Sequence, residues 1–192
     1  MPFVLVVDQS AGDCSIALGL AGPSCFQQML REALRDHPDC TVVVKVHPDV
    51  IRGRARGHFR HRDLQHPRIH LCADGLHPAA LLEQARAVYV VTSQMGFEAL
   101  LWGKPVHCFG MPFYAGWGLT RDRLSAPARR RAGVALEALV HAALVAGTRC
   151  VDPHRHRRCS IEELMQAIGL QRQLQRSTPC LLYTSPSPRD NR

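Results

Sequence analysis

Residues 87–109 read AVYVVTSQMGFEALLWGKPVHCF, an apolar run, a helical pattern and a second apolar run in direct succession. Both runs are apolar throughout, which is typical of strands that are covered on both faces of a sheet. The apolar spacing of residues 96–102 fits a helix that connects two parallel strands. This stretch therefore predicts a strand–helix–strand unit.

The same alternation extends towards the amino terminus. Apolar strands are predicted at 3–7, 41–46 and 68–71, and helices at 26–34 and 79–85. This order predicts an α/β domain, with a parallel sheet and helices on both of its faces. Such a sheet binds ligands beyond the carboxyl ends of its strands, so the loops that follow the strands are the candidates for function.

The pattern changes after Gly110, where a loop rich in glycine, proline and aromatic residues begins. Two helices are predicted beyond it, at 134–145 and 161–175. Ser160, followed three residues later by Glu163, is a capping box for the second helix.

The last residues differ in composition from the rest. From 177 onward there is no hydrophobic period, and prolines and serines predict disorder. This tail also resembles a sequencing-adaptor scar and is excluded from the fold.

A chain of 192 residues with 46% hydrophobic content suits one domain of ordinary size. We expect that domain over 1–176 and a disordered tail over 177–192.

The net charge of +8 is concentrated in three basic segments, 52–62, 129–131 and 155–158. These segments form a solvated face, or they attract an anionic membrane surface or an anionic sugar nucleotide. Nucleic-acid binding is the weakest interpretation, because no recognition module accompanies the charge.

The eight cysteines show no C-x-x-C spacing, and the eleven histidines form no H-E-x-x-H motif. We expect reduced, packed cysteines and no metal site. The sequence also has no apolar run of membrane-spanning length and no signal-peptide pattern, which predicts a soluble protein.

Two carboxylates follow the first strand, in the loop DQSAGDCS at residues 8–15. Asp8 and Asp13 would lie at the carboxyl end of that strand, where chemistry is expected. The structural alternative makes Asp8 a strand-end cap and Asp13 a turn residue beside Gly12.

A cation and an imidazole follow the strand at 41–46. Lys45 and His47 are two residues apart, so they share a face and could grip a phosphate from one side. A packed histidine is the alternative for His47.

Hydroxyl side chains end the strand at 87–91. Thr92 and Ser93 precede a helix whose amino-terminal N–H groups and dipole favour a phosphate. Glu98, about one turn into that helix, could bind ribose hydroxyls. Ser93 as a simple helix cap and Glu98 as an exposed helix residue are the alternatives.

The loop at 110–120 contains Tyr114 and Trp117 between glycines. Their rings could stack on a base or form an apolar wall of the site. A packed loop under the later helices is the alternative.

The chain closely resembles the KpsC/LipB capsule polysaccharide family in four segments, which occur in the same order: DQSAGDCSI from residue 8, VKVHPDV from 44, VVTSQMGFEALLWGKPVHCFGMPFYAGWGLTRDR from 90 and VDPHRHRRCSIEEL from 151. The resemblance runs from about residue 3 to about residue 173. It implies a GT-B-type module, in which two Rossmann-like halves face each other, with this chain as the nucleotide-sugar-binding half.

By this resemblance the module transfers 3-deoxy-manno-octulosonic acid (Kdo) from CMP-Kdo with retention. The product is a short poly-Kdo linker on a lysophosphatidylglycerol acceptor, which is held through the missing half. The resemblance also implies a cytoplasmic enzyme, peripheral on the inner membrane face, that works with other capsule assembly proteins. Because the chain holds only part of a module, we expect it to be inactive alone.

The resemblance also assigns residues. His47, Thr92 and Ser93 match the motifs that hold the CMP phosphate and the Kdo carboxylate, and the loop with Asp8 and Asp13 matches the catalytic one. The predicted donor-binding set is Gln9, Ser15, Lys45, His47, Thr92, Ser93, Glu98 and Tyr114. No cofactor or metal is expected, because basic and hydroxyl groups with the helix dipole would neutralise the leaving CMP.

Asp13 is the predicted nucleophile, because it follows Gly12 on a turn that can lift a carboxylate into the cleft. Asp8 would mainly fix the loop. Two other functions stay open: a non-catalytic nucleotide-sugar-binding remnant, and a GT-B-like enzyme such as a hexosamine epimerase that uses a UDP-sugar.

Overall fold

A computed structural model describes residues 2–46, 48–72, 78–130 and 133–177. The chain divides into two compact units, the first ending at Leu139 and the second beginning at Val140. The expected domain over 1–176 therefore covers the first unit and much of the second.

The first unit is built on a six-stranded sheet with the order β3-β2-β1-β4-β5-β6. All five strand pairings are parallel. The strands are β1 (Phe3–Val7), β2 (Thr41–Lys45), β3 (Ile69–Cys72), β4 (Val88–Val90), β5 (Val106–Cys108) and β6 (Arg121–Asp122). This order is that of the Rossmann fold, and it reverses direction between β1 and β4.

Helices connect these strands. They are α1 (Cys14–Leu18), α2 (Pro23–Asp36), α3 (Pro48–Ile51), α4 (Pro78–Gln84) and α5 (Gln94–Leu101), with a 3₁₀ turn at His61–Leu64. The fold class expected from the sequence, an α/β domain with a parallel sheet covered by helices, is confirmed.

The core explains why the strands are apolar throughout. Val4 and Val6 of β1 belong to a buried cluster that includes Phe26 and Met29 of α2. Leu5, which points to the opposite face of the sheet, is also fully buried. Both faces of β1 are therefore excluded from water, and a continuous apolar run is the only pattern that suits them.

The predicted strands and helices of the sheet are confirmed, with ends that differ by at most three residues. The sequence reasoning missed α1, α3, the 3₁₀ turn and β6, all of five residues or fewer. Elements this short carry too few apolar positions to show a period.

The second unit contains an antiparallel pair, β7 (Cys150–Asp152) and β8 (Arg157–Cys159), and the long helix α7 (Ile161–Ser177). The capping box of α7 is confirmed: Glu163 N donates to Ser160 Oγ at 3.1 Å, and Ser160 N donates to Glu163 Oε2 at 2.9 Å. The hairpin of β7 and β8 was not predicted, because its strands are short and one is rich in arginine.

The helix predicted at 134–145 is α6 (Leu136–Val140), followed by a π-helical turn at His141–Ala146. The tail predicted to be disordered covers 177–192; its first residue, Ser177, instead ends α7, and 178–192 lie outside the described residues. Within the described part of the chain, no helix is long and apolar enough to cross a membrane. The described cysteines are free thiols, and no group of three or more potential metal ligands occurs among the described residues.

Candidate functional site

A cavity of about 470 Å³ opens at the carboxyl edge of the sheet, where the strand order reverses between β1 and β4. This is the position at which open α/β sheets bind their ligands. Its lining comes from the ends of three strands and the loops after them: Val7, Asp8, Gln9, Ser10, Asp13, Ser15, Lys45, Val46, Thr92, Ser93, Gln94 and Met95.

Most of the residues predicted for the site are brought together in this cavity. Those that line it are Asp8, Gln9, Asp13, Ser15, Lys45, Thr92 and Ser93. Parallel strands all end at the same edge, so motifs far apart in sequence meet there. His47 lies outside the described residues.

The carboxylate of Asp8 is almost completely buried, at 4% exposure. Its Oδ1 accepts hydrogen bonds from Gln9 N at 2.9 Å and from His58 N at 3.1 Å. Asp8 therefore holds the loop after β1 against the basic segment at 52–62.

The carboxylate of Asp13 is exposed and caps α1. Its Oδ1 accepts from Ser15 N at 2.8 Å, and its Oδ2 accepts from Gln9 Nε2 at 3.0 Å. These two bonds orient a solvent-accessible carboxylate in the wall of the cavity.

The amino terminus of α5 forms another part of the wall. Ser93 caps this helix, with its Oγ accepting from Met95 N at 3.3 Å. The positive end of the helix dipole and the side chain of Lys45 favour an anion in the cavity. The cavity thus combines an oriented carboxylate with a site suited to a phosphate.

Residues 1–149 match the family model described as "Capsule polysaccharide biosynthesis protein". The chain belongs to this family. Its resemblance to KpsC/LipB proteins is thereby confirmed.

Two curated proteins are similar in sequence to this chain. The chain is 48% identical over 120 residues to the capsule polysaccharide modification protein LipA of Neisseria meningitidis serogroup B, covering 62% of this chain and 17% of LipA. It is 39% identical over 128 residues to the lipopolysaccharide-processing protein LpsZ of Rhizobium meliloti, covering 67% of this chain and 29% of LpsZ. The chain therefore spans less than a third of either relative.

Two solved structures from Thermosulfurimonas dismutans have the same fold. The KpsC beta Kdo 2,4 transferase matches with a TM-score of 0.81 and 39% identity, covering 87% of this chain and 51% of that one. The KpsC beta Kdo 2,7 transferase matches with a TM-score of 0.71 and 30% identity, covering 88% and 54%. The chain corresponds to about half of each structure.

In this member of the capsule family, Tyr114 is not placed to stack on a base. Its side chain is fully buried, and its hydroxyl donates to the carbonyl oxygen of Ser93. Burial raises the pKa of Tyr114 well above its usual value, which keeps the hydroxyl protonated as a donor. Tyr114 therefore supports the start of α5 from inside, which corrects its predicted direct role.

Two other residues proposed from the sequence also lie outside the cavity lining. Glu98 is half-buried on α5. Trp117 donates from Nε1 to the carbonyl oxygen of Phe113 at 2.8 Å and stacks with Arg130 at 5.5 Å. The aromatic loop after β5 is thus held by contacts within the loop and with Arg130.

Gly96→Ala is expected to destabilise the first unit by about 1–3 kcal/mol, the usual cost of overpacking. A Cβ at Gly96 would lie 2.3 Å from the hydroxyl and 2.7 Å from Cζ of Tyr114, whose ring is enclosed. Urea unfolding followed by circular dichroism measures the change. Gly169→Ala on α7 is the control, because nothing lies within 4 Å of its added Cβ. Equal stability of Gly96→Ala and wild type would show that the ring moves freely.

Proposed function

We propose that this chain is the CMP-Kdo-binding half of a retaining β-Kdo transferase that acts in capsule polysaccharide biosynthesis. The observation that carries the proposal is a single cavity lined by two complementary groups. Asp13 and the amino terminus of α5 both contribute to its lining, in a fold that matches KpsC. A sugar nucleotide needs this combination, because its anomeric carbon accepts a nucleophile while its phosphate leaves.

The phosphate of CMP-Kdo is assigned to the wall formed by Thr92, Ser93 and Lys45. As the bond between the anomeric carbon and the phosphate oxygen breaks, CMP leaves with the electron pair. The helix dipole and the Lys45 ammonium stabilise that charge. The proposal needs no cofactor and no metal ion.

Asp13 is assigned as the nucleophile. An oxygen of its carboxylate forms a bond to the anomeric carbon as CMP departs, which gives a Kdo ester on the enzyme. The acceptor hydroxyl then attacks the same carbon, its proton passes to water, and the bond from that carbon to the Asp13 oxygen breaks, which releases the carboxylate. Two inversions give net retention. The acceptor is proposed to be a Kdo-bearing lysophosphatidylglycerol, bound with the help of the half that KpsC has and this chain does not match.

The basic segment at 52–62 supports an anionic substrate. Its five arginines are exposed, and they are Arg52, Arg54, Arg56, Arg60 and Arg62. The segment borders the site directly, because Ala11 N donates to the carbonyl oxygen of Arg56 at 2.6 Å and His58 N donates to Asp8. Positive charge at the rim of a cleft raises the local concentration of anionic substrates. An acceptor that is a lipid would place the reaction at the cytoplasmic face of the inner membrane.

Binding of CMP is expected, with a clear preference over UDP. The test is titration calorimetry of this chain with CMP, CMP-Kdo and UDP. Ser93→Ala should weaken CMP binding by about threefold to tenfold, the effect of losing one hydrogen bond and the helix cap. Ser160→Ala, which removes the matching cap of α7, is the control and should leave CMP affinity unchanged.

Each other outcome points to a different function. Preference for UDP would favour a UDP-sugar enzyme. CMP binding without Kdo transfer, after the chain replaces its counterpart in the Thermosulfurimonas dismutans KpsC beta Kdo 2,4 transferase, would favour a non-catalytic remnant.

A further inference from the structure

Gln9 was predicted to bind the donor, but its side chain is enclosed by protein groups. It is 5% exposed, and its amide bridges the loop after β1 to the end of β4. Its Oε1 accepts from Thr92 N at 3.0 Å, and its Nε2 donates to Asp13 Oδ2 at 3.0 Å. A single amide therefore connects the proposed nucleophile to Thr92, a residue of the wall assigned to the phosphate.

The direction of this amide is determined by its partners. The backbone N–H of Thr92 can only donate, so it requires the oxygen of the amide. The nitrogen then faces Asp13, whose ionised carboxylate can only accept. In the reversed amide, the nitrogen would face the N–H of Thr92, donor against donor. The oxygen would face the carboxylate of Asp13, acceptor against acceptor.

Thr92 is a rigid anchor for the amide. Its Oγ1 lies 2.9 Å from Ser15 Oγ and 3.0 Å from Gln9 Nε2. Its methyl group lies between two glycines, since a Cβ on Gly19 or Gly110 would come within 2.4 Å or 2.8 Å of it. The side chain of Thr92 therefore has little room to rotate, so it holds the amide of Gln9 in one position.

We propose that Gln9 is a positioning residue: it holds the Asp13 carboxylate ionised and aimed at the cavity, in a fixed relation to the anion-binding end of α5. The inference rests on the proposed function, because it gives Asp13 the role of nucleophile. A donor N–H at 3.0 Å stabilises the charged carboxylate and restricts its rotation. Among the described residues, the other charged side chains that line the cavity are Asp8 and Lys45.

Gln9→Glu is the decisive variant, because it keeps the size of the side chain but replaces the N–H donor that faces Asp13 with a carboxylate oxygen. The new carboxylate still accepts from Thr92 N, but its second oxygen faces Asp13 Oδ2. Two carboxylates this close share one proton and titrate as a coupled pair. The midpoint of the Asp13 carboxyl titration, followed by ¹³C NMR on this chain, should rise by about one to two pH units.

Gln84→Glu is the matched control. It introduces the same charge at an exposed position on α4, before β4 and away from the carboxyl edge of the sheet. It should leave the Asp13 titration unchanged. An unchanged titration in folded Gln9→Glu would overturn the proposal. If Gln9→Glu does not fold, Gln9→Leu replaces it and should give a smaller rise, of about half a unit to one unit. No rise in that variant would also overturn it.

A second readout tests the catalytic consequence in the KpsC chimera, in which this chain replaces its counterpart in the Thermosulfurimonas dismutans KpsC beta Kdo 2,4 transferase. In Gln9→Glu, the acid limb of the rate profile should move to higher pH by about one to two units, so kcat on that limb should fall by about ten- to a hundredfold, while kcat at neutral pH and KM for CMP-Kdo should change little. A purely structural role would lower the rate by the same factor at every pH, and that result would overturn the proposal. The NMR measurement needs no nucleotide, so it is independent of whether the chimera transfers Kdo.

Discussion

Asp13→Ala is expected to lower Kdo transfer by at least about a thousandfold in the KpsC chimera, while CMP affinity changes by less than about threefold. The reason is that Asp13 is the exposed, oriented carboxylate of the cavity, and its hydrogen bonds to Ser15 N and Gln9 Nε2 aim it. Without it, no covalent Kdo ester can form. The phosphate wall at α5 is unchanged, so the nucleotide still binds.

Trapping the intermediate measures this directly. The chimera is incubated with CMP-Kdo without acceptor, and a Kdo adduct is sought by intact-protein and peptide mass spectrometry. The adduct should map to Asp13 and be absent from Asp13→Ala. Asp39→Ala is the control, because Asp39 is exposed just before β2, at the amino edge of the sheet. An adduct on Asp8, or full transfer by Asp13→Ala, would refute the assignment.

Asp8 is expected to behave differently from Asp13. It is buried and accepts two backbone N–H groups, from Gln9 and His58. Removing the carboxylate would leave those donors without this partner, and loss of such bonds mainly lowers stability. The two carboxylates of the loop thus have environments that favour different roles.

The centre of the sheet could be predicted from the sequence because β1, β4 and β5 are buried on both faces and read as continuous apolar runs. The position of the site followed from the same reasoning. Parallel strands place their carboxyl ends together, and the residues after β1, β2 and β4 therefore meet. Seven of the ten residues proposed for catalysis or donor binding line one cavity: Asp8, Gln9, Asp13, Ser15, Lys45, Thr92 and Ser93.

What the sequence did not reveal depends on contacts between distant segments. A loop rich in glycines and aromatic residues suits a ligand wall and a packed core equally well. The burial of Tyr114 and its hydrogen bond to the carbonyl oxygen of Ser93 show that this ring is packed. The bridge from Gln9 to Thr92 spans 83 positions in sequence, and no local pattern indicates it. Similarly, the contact of the basic segment with Asp8 depends on one backbone N–H.

Acidification is expected to destabilise the first unit through His107. This side chain on β5 is 4% exposed and stacks on Tyr89 of β4, with ring centroids 4.2 Å apart. Neither ring nitrogen has a hydrogen-bond partner among the described residues. Burial is the main cause that lowers the pKa of His107 to about 4. The positive charges of Arg121 and Arg123 and the nearby His37 lower it further, and Asp36 opposes the shift.

The direction of this change in stability follows from the protonation of His107 in the folded and unfolded chain. Above about pH 7 the imidazole is neutral in both, so His107 has no effect on the pH dependence of folding. Between about pH 6.5 and 4 the unfolded chain takes up a proton that the folded chain does not. The free energy of unfolding should therefore fall across this interval, by on the order of 3 kcal/mol in total. Burial also lowers the pKa of His37, which acts in the same direction.

His107→Leu should remove most of this loss of stability. Leucine is similar in volume, does not titrate, and eliminates two buried nitrogens, so stability at pH 7.5 should be equal or higher. The measurement is urea unfolding between pH 4.5 and 7.5, followed by tryptophan fluorescence, because Trp102 and Trp117 both lie in the first unit. His70→Leu is the control, since His70 is exposed on the edge strand β3. If His107→Leu loses as much stability on acidification as wild type, the pH dependence arises from other titrating groups. Burial of the His107 imidazole would then not oppose its protonation.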